Sequence, residues 1–328
     1  MQTGVKLRRV RGLMALTVCG FTLAACVKNP VDIPAPITPV PVVVPLAPAP
    51  APVVLVDPPR STASQELSLY YRRLQNDLLA QDLMRGDGGG VDTPFTAEML
   101  ARDFMRIALF DEFAPGGGTQ NPQATPGVLR RWDQPIGMNI EFGPTVPAAQ
   151  RVRDTASIGA YAARLSRLTG VPIRQNAINA NFTVMVLNED DRPGFEGRLR
   201  SLIPGIEEAS VRTFLALPRD LFCIVISVSR NNAPTYERVV VLIRGEHPDV
   251  MRLTCVHEEL AQAMGLPNDS PQARPSIFND DDEFGLLTTH DEYLLRMLYD
   301  PRLQPGMTAA QAEPIVRQIA NDLLNTPS

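Results

Sequence analysis

One short segment of the chain carries residues that could do chemistry. His257 and Glu258 open a predicted helix directly after a predicted strand, as in the zinc-binding pattern His-Glu-x-x-His. That pattern needs a second histidine four residues after the first, on the same helix face, and position 261 is alanine. The literal zinc motif is therefore absent from this segment. We expect His257 to pack or to form a hydrogen bond near the start of the helix.

The other potential ligands are isolated in the sequence. His247 precedes a proline in a loop and His290 lies in the first turn of a predicted helix, and neither has a partner at ligand spacing. The acidic run 280–283 lacks the glycine and terminal glutamate of an EF-hand loop, so we interpret it as a solvated loop, with calcium binding as the alternative. No GxSxG, Walker or dinucleotide-binding pattern occurs, which argues against the common serine hydrolases, NTPases and dehydrogenases.

When the frame is moved by one residue, the same segment resembles the metzincin type of zinc metallopeptidase, whose pattern is HExxHxxGxxH/D. The pattern then falls on Glu258, Glu259, Gln262, Gly265 and Asn268, followed by Asp269. In those peptidases the glycine ends the helix and turns the chain back toward the metal, and the glutamate is the general base. The resemblance therefore implies a structural role for Gly265 and, in an active enzyme, a catalytic role for Glu259.

Two downstream segments extend the resemblance. The Ser-Ile-Phe sequence at 276–278 is similar to the metzincin Met-turn, with Phe278 in place of methionine. Thr288 and Asp291 resemble the start of the closing helix and could form a variant of the capping box. Roughly residues 93–310 also resemble an uncharacterised proteobacterial lipoprotein family that carries a domain of unknown function. The implied fold is α+β, a zincin-like mixed sheet with an active-site-type helix and a closing C-terminal helix.

The ligand positions implied by the resemblance are degenerate. Zinc is held by imidazole, thiolate or carboxylate, whereas these positions offer one carboxylate and two amides. Loss of every imidazole also removes the route to a metal-bound hydroxide near neutral pH. We therefore expect no cofactor and a non-catalytic domain. The alternative is a site for zinc or, better suited to oxygen ligands, calcium, formed by Glu258, Gln262, Asn268 and Asp269.

The N-terminus predicts export and lipidation. Four cations precede a short apolar run that ends in Leu-Ala-Ala-Cys at 23–26, which resembles a bacterial lipobox. We therefore predict a signal peptide over residues 1–25 and lipid attachment at Cys26. Because Val27 and not aspartate follows the cysteine, we expect the periplasmic face of the outer rather than the inner membrane. The lipidated cysteine and a proline-rich stalk make up residues 26–63, and the thirty residues 30–59 predict an extended segment on the order of 90 Å long.

The charge and the cysteines are typical of an exported protein that does not bind nucleic acid. The chain has a formal charge of −5, and removal of the signal peptide would take four cations and no anions from it. No Lys/Arg cluster outside the signal peptide could overcome the repulsion from phosphate. Cys223 and Cys255 are the only cysteines beyond Cys26, and an oxidising compartment favours a disulfide between them; two separate buried thiols are the alternative.

The remaining pattern predicts one domain behind a helix and a joint. Apolar residues at helical spacing predict an amphipathic helix over 65–85, and a flexible glycine-rich joint completes the segment 64–92. This helix could pack onto its own domain or dock another protein. The main domain covers 93–308, and the tail 309–328 is either a docked or a loose helix. Predicted helices span 96–113, 155–168, 250–264 and 288–298, and predicted strands span 132–142, 182–187, 222–228 and 237–243.

These features favour an envelope lipoprotein with a metzincin-like binding module. The lipid would attach it to the membrane, and the former active-site cleft would bind a protein, peptide or glycan of the envelope. A metal-dependent hydrolase with unusual ligands and a structural tether in an envelope complex are the alternatives.

Overall fold

The structure is a computed structural model that describes residues 57, 59–113, 122–175, 177–279 and 281–325. The predicted signal peptide, Cys26 and residues 27–56 of the predicted stalk lie outside the described residues. No helix in the described ranges is both long and apolar enough to cross a membrane. The described helices are α1 Thr62–Leu79, α2 Ala97–Ala108, α3 Ala148–Thr169, α4 Glu196–Leu202, α5 Glu208–Leu215, α6 Asp249–Gln262, α7 Thr289–Leu298 and α8 Ala309–Asn325. The described strands are β1 Phe110–Phe113, β2 Pro122–Pro126, β3 Ile136–Phe142, β4 Ile173–Gln175, β5 Phe182–Leu187, β6 Cys223–Val228 and β7 Arg238–Arg244.

A five-stranded sheet forms the centre of the domain, with its strands in the order β4-β3-β5-β7-β6. Strands β3, β4, β5 and β7 are parallel, and β6 at one edge is antiparallel to β7. The middle strands β5 and β7 are apolar, rich in β-branched residues and buried on both faces, as expected for parallel strands. The sequence-based prediction of an α+β fold is therefore confirmed.

Helices cover both faces of the sheet. Side chains alternate between the faces along each strand, so one strand contributes to the cores on both sides. Val184 and Val186 of β5 contribute to the larger core, which forms with α2, α3, α6, α7 and α8. Met185 and Leu187 contribute to a smaller core with α4 and α5. The sequence analysis predicts neither α4 nor α5, because helices of 7 and 8 residues are too short to show a clear period.

Two predicted helix boundaries are wrong. The helix predicted over 96–113 ends at Ala108, because the residues after it form β1, which pairs antiparallel with β2. The helix predicted over 155–168 begins much earlier, at Ala148. Pro147 occupies its N-cap, a position where the missing backbone N–H of proline costs no helical hydrogen bond.

One predicted strand is also too long. The strand predicted over 132–142 begins only at Ile136, because Pro135 cannot donate a hydrogen bond to a neighbouring strand. Trp132 is instead a buried core residue whose indole Nε1 donates to the carbonyl oxygen of Ala263 at 2.9 Å. The segment before β3 is thus fixed to the end of α6.

Helix α1 packs onto its own domain and ends earlier than the predicted span 65–85. Its Tyr71 is fully buried, and the phenol donates to the carbonyl oxygen of Arg219 at 2.9 Å. The buried Ser64 hydroxyl donates to Oε1 of Glu246 at 2.7 Å. Of the two uses that the sequence left open for this helix, the structure shows packing within the domain.

The glycine-rich segment after α1 is bound to the domain through its backbone. The Met84 N–H donates to the carbonyl oxygen of Asp282 at 2.7 Å, and the Thr289 N–H donates to that of Gly88 at 2.9 Å. Gly88 has a φ of 75°, in the left-handed region that favours glycine. The segment is therefore a set of turns fastened to the domain, where the sequence predicted a flexible joint.

The C-terminal segment is a docked helix, which resolves the alternative that the sequence left open. Helix α8 contacts α2 and α7. Its buried residues belong to the larger core and are Ala312, Val316, Ile319 and Ala320.

Buried charges connect α2 to α7. His290 is fully buried, with Nε2 3.3 Å from Oδ2 of Asp103 and Nδ1 3.7 Å from Oδ1 of Asp291. Burial lowers the pKa of His290, but the two buried carboxylates outweigh burial, so the pKa lies above its ordinary value. The folded protein therefore favours the imidazolium, which offsets the charge of two buried acids.

Because the pKa of His290 is raised by folding, this group stabilises the fold below its unfolded pKa of about 6.5. The stabilisation is lost as pH rises through the folded pKa. We predict that His290→Gln lowers the free energy of unfolding by about 3 kcal/mol at about pH 5.5, and by less at about pH 9. Urea denaturation of both proteins across this range measures the difference. Gln318→Met on the exposed side of α8 is the control, and a His290→Gln difference that stays constant with pH would contradict the prediction.

Candidate binding cleft

A cleft of about 660 Å³ lies between the edge strand β6 and helix α6. Val225 and Ser227 of β6 line one wall, and side chains of α6 line the opposite wall. Pro267, Asp269 and Ile277 extend the lining beyond the end of α6. Among the described strands, β6 pairs only with β7, so it lies at one edge of the sheet.

A disulfide joins the two walls of the cleft. It links Cys223, the first residue of β6, to Cys255 in α6, and their Cα atoms lie 5.9 Å apart. The predicted disulfide is therefore confirmed. The bond holds α6 against the start of β6 and sets the separation of the walls at that end.

Four of the predicted site residues line the cleft: Glu258, Glu259, Gln262 and Asp269. Glu259 and Gln262 are deep, with exposed fractions of 5% and 8%. Glu258 and Asp269 are half-buried. Residues three or four positions apart share one side of a helix, which explains why Glu258, Glu259 and Gln262 of α6 all reach the cleft.

Asn268, the remaining predicted ligand position, does not line the cleft with the other four. It is buried, and its Nδ2 donates to the carbonyl oxygens of Arg106 at 3.0 Å and Asp269 at 2.9 Å. The Asn268 N–H also donates to the carbonyl oxygen of Ile107 at 3.2 Å. Its side chain therefore fastens the loop after α6 to the end of α2.

Gly265 turns the chain at the end of α6. Its φ is 121°, and a Cβ at this position would lie 2.2 Å from the carbonyl oxygen of Arg130. Its N–H donates to the carbonyl oxygen of Gln262 at 2.9 Å. Only glycine permits this close approach, and the turn returns the chain so that Asp269 reaches the cleft.

Asp291 joins α7 to the turn that contains Phe278. Its Oδ1 accepts from the Ser276 hydroxyl at 2.6 Å, and its Oδ2 accepts from the Ile277 N–H at 3.1 Å. Oδ2 also accepts from the Thr288 N–H at 2.9 Å, and Thr288 Oγ1 accepts from the Asp291 N–H at 3.1 Å, which completes a capping box. Phe278 is fully buried. These residues are structural: they hold the loops beside the cleft.

His257 is a structural residue that does not line the cleft. Its ring stacks on Tyr161 with the centroids 4.0 Å apart, and its Nδ1 accepts from the Leu287 N–H at 2.9 Å. Burial lowers the pKa of His257 to about 3, so the imidazole is neutral near neutral pH. It therefore fixes the loop before α7 to helix α6.

The residues of the cleft do not fit zinc. Within the described ranges, no group of three or more histidine, cysteine, aspartate or glutamate side chains could hold a metal ion. Cys223 and Cys255 are bonded to each other. The donors that α6 presents to the cleft are carboxylate and amide oxygens, without the imidazole or thiolate with which zinc sites combine carboxylates.

Gln262 presents its side-chain amide to the cleft. The residue is 8% exposed, and in the described part of the chain the amide makes no hydrogen bond. An amide offers both a donor and an acceptor to a ligand. From the sequence, Gln262 is only a degenerate metal position, because nothing in the local sequence shows whether an amide has a partner in the fold.

The structure adds cleft residues that the sequence analysis did not consider. They come from separate segments that no short motif connects, and the sequence signal for them is weak. They include Arg130, Asp220, Asn232 and Tyr236.

The structure is a mixed α+β domain with a cleft between an edge strand and a helix. The chain belongs to a family described as a protein of unknown function (DUF2927), whose family model matches residues 97–318. The match agrees with the expectation of an uncharacterised family and spans the whole sheet. The comparison with curated proteins and the comparison with solved structures give no significant match.

We predict that the double substitution Cys223→Ser and Cys255→Ser lowers the free energy of unfolding by about 3 kcal/mol. The disulfide spans a sequence separation of 32 residues, and its loss increases the entropy of the unfolded chain. Guanidinium denaturation of the oxidised wild type and of the variant measures the effect. The reduced wild type should match the double variant. A variant as stable as the oxidised protein would show that the bond contributes no stability.

Proposed function

We propose that the chain is an envelope lipoprotein whose domain is a non-catalytic module that holds an extended peptide in the cleft between β6 and α6. One observation carries the binding proposal. The residue Gln262 is nine-tenths buried and lines the cleft, and its side-chain amide makes no hydrogen bond among the described residues. The amide offers a donor and an acceptor to the cleft, and a peptide group supplies the acceptor and the donor that match them.

Strand β6 supports the same proposal through its backbone. An edge strand presents N–H and C=O groups with which an extended peptide can pair, and strand addition is a recurrent mode of peptide recognition. Residues of β6 line one wall of the cleft, and Gln262 lines the opposite wall. A peptide between the walls could therefore pair with β6 on one side and with Gln262 on the other.

The elements around the cleft support the finer proposal that the domain is metzincin-like. Gly265 ends the helix and turns the chain back, as the resemblance implies. Phe278 lies in a buried turn, which Asp291 joins to α7 in the place of the closing helix. The likeness concerns the scaffold, and scaffold alone does not assign an activity.

The chemistry of the cleft favours binding over hydrolysis. Glu259 as a general base would need an activated water, and the ligand set that would activate it has lost its imidazoles. The rival hypothesis is a hydrolase that uses Glu259 with an unusual metal at Glu258 and Asp269. It requires stoichiometric metal in the full-length protein purified without chelators or a histidine tag. It also requires a hydrolytic activity that chelators and Glu259→Gln abolish, and these two findings together would overturn the proposal.

We predict that Gln262→Met weakens peptide binding about tenfold, because it removes two hydrogen bonds from a buried site while keeping the volume. The probe is a pool of acetylated and amidated heptapeptides with randomised uncharged residues, and fluorescence polarisation with the full-length chain measures its affinity. Gln318→Met is the matched control, since Gln318 is exposed on α8. Equal affinity of wild type and Gln262→Met, or no binding of the pool to the wild type, would contradict the proposal.

Methylated probes test the role of β6 without any change in the protein. Successive N–H groups of an extended peptide point to opposite sides, so only one alternate set can face β6. Pools that are N-methylated at odd or at even positions should therefore differ, with one pool losing binding and the other keeping most of it. Equal loss in both pools would argue against strand addition.

Features of the N-terminal sequence support the proposed lipid anchor. The cationic block, the short apolar run and the Leu-Ala-Ala-Cys sequence lie in the order that lipoprotein signals require. The stalk would then connect the lipid to α1, which packs onto the domain. A structural tether would need a docking surface other than the apolar stripe of α1, because the domain already uses that stripe.

We expect that Cys26→Ser abolishes lipid attachment and releases the protein from the membrane fraction, because the thiol is the acylated group. Labelling of cells with palmitate, followed by membrane fractionation, measures both effects. Cys19→Ser is the matched control, since Cys19 lies within the predicted signal peptide. Retention of the label in Cys26→Ser would show that the lipid is attached elsewhere.

A further inference from the structure

Helix α1 contacts both walls of the cleft at the end where β6 begins. The Tyr71 hydroxyl donates to the carbonyl oxygen of Arg219, and the Tyr71 ring lies edge-on to that of Phe222, with the centroids 6.1 Å apart. Phe222 directly precedes β6 and lines the cleft. At the other wall, Oε1 of Gln75 accepts from the Met251 N–H in the first turn of α6 at 3.0 Å. One helix therefore joins the start of β6 to the start of α6.

The same helix covers polar groups that are incompletely paired. The Ser64 hydroxyl donates to Oε1 of Glu246, whose Oε2 has no hydrogen-bond partner among the described residues. The His247 ring lies 4.4 Å from that of Tyr71, and its Nε2 also lacks a partner in the described part of the chain. Glu246 and His247 are only 3% and 2% exposed. Burial of unpaired polar atoms costs free energy, which water would restore if α1 moved away.

The apolar packing that opposes this cost is small. Helix α1 is described throughout, and only Ser64 and Tyr71 of its residues are buried. The turn after the helix contains Asp82 with a φ of 59°, in the left-handed region that favours glycine. Three leucines of the helix are half-buried around Tyr71: Leu67, Leu74 and Leu78. A segment with few buried contacts and a strained turn at its end can open while the sheet stays folded.

We infer that α1 is a releasable clasp on the cleft. While it is docked, it holds the start of β6 and the start of α6 in place. Its release opens that end of the cleft and exposes Glu246 and His247 to water. The chain reaches α1 directly from the predicted stalk, so the clasp lies between the proposed lipid anchor and the proposed peptide site. The effect on peptide affinity rests on the proposed function: a released clasp should lower it.

Hydrogen exchange of the full-length chain, measured by NMR, tests whether α1 opens on its own. The Met251 amide is a reporter outside α1, because an N–H in the first turn of a helix has no acceptor within that helix, and Gln75 supplies one here. We expect the amides of α1 and of Met251 to be protected at least about 100-fold less than those of β5. Equal protection of all three would show that α1 opens only when the whole domain unfolds, and would overturn the inference.

Matched substitutions of two adjacent tyrosines test which contacts hold the clasp. Tyr71→Ala removes a fully buried ring and should speed exchange of the Met251 amide at least about 100-fold. Tyr70→Ala is the control, since Tyr70 is 37% exposed on the same helix, and should change the rate less than about threefold. Tyr71→Phe keeps the ring and loses only the hydrogen bond to Arg219, so it should give an increase of about threefold to tenfold. An equal effect of both alanine variants would contradict the clasp.

The disulfide reports on the cleft end without any peptide. Sγ of Cys255 lies 3.8 Å from Nδ1 of His247, whose ring Tyr71 contacts. Access of the attacking thiol limits the rate of thiol–disulfide exchange. Reduction by dithiothreitol should therefore be about tenfold faster or more in Tyr71→Ala, and unchanged in Tyr70→Ala. An unchanged rate in Tyr71→Ala, with Met251 exchanging freely, would show that α1 does not close this end of the cleft.

The pool of uncharged heptapeptides tests the coupling to binding. Coupling between two sites is reciprocal. Tyr71→Ala should weaken binding of the pool about fivefold or more, and a saturating amount of the pool should slow exchange of the wild-type Met251 amide by the same factor. Tyr70→Ala should bind as the wild type does.

These measurements distinguish failure of the clasp from failure of the proposed function. If the pool binds wild type and Tyr71→Ala equally well, the coupling is wrong and the binding function stands. If no pool binds the wild type, the proposed function and the coupling both fail, while exchange and reduction still decide whether α1 is a clasp.

Discussion

The arrangement of the cleft depends on one close approach, that of Gly265 to the carbonyl oxygen of Arg130. A Cβ at this position would lie 2.2 Å from that oxygen, so the residue must be glycine. Because the two segments meet here, the indole of Trp132 reaches the carbonyl oxygen of Ala263 at 2.9 Å. The hydroxyl of Tyr299 donates to the carbonyl oxygen of the residue before Gly265, also at 2.9 Å. The end of α6, the segment before β3 and the end of α7 are thereby joined at one point.

The cleft is the space that remains once α6 is held at its middle and at its C-terminal end. The Cys223–Cys255 disulfide holds the middle of the helix against the start of β6, and the turn at Gly265 fixes its C-terminal end. Asp291 holds the neighbouring turn through hydrogen bonds to Ser276 and Thr288. A cleft supported in this way is largely formed before a ligand arrives, which reduces the entropy lost on binding. The same support would suit a catalytic site or a binding site, and the side chains on α6 distinguish the two.

The site was only partly predictable. Spacing along a helix places Glu258, Glu259 and Gln262 on one side of α6, and the structure brings them into one cleft. Asn268 lies after the turn, where spacing no longer predicts direction, and its amide is used by α2. The unpartnered state of Gln262 was also invisible in the sequence, because a hydrogen-bond partner for an amide can come from any segment of the fold.

The sequence by itself determined the middle strands and helix α6 and favoured the disulfide, because continuous apolar runs, helical periodicity and cysteine number are local or countable features. The tertiary structure decided that α1 and α8 pack onto the domain, that α4 and α5 form, and that β6 lies at the edge of the sheet. Local patterns record how much of a segment is buried and which backbone angles it prefers. They do not record which segment buries it, so the cleft and the charges that line it emerge only when distant segments meet.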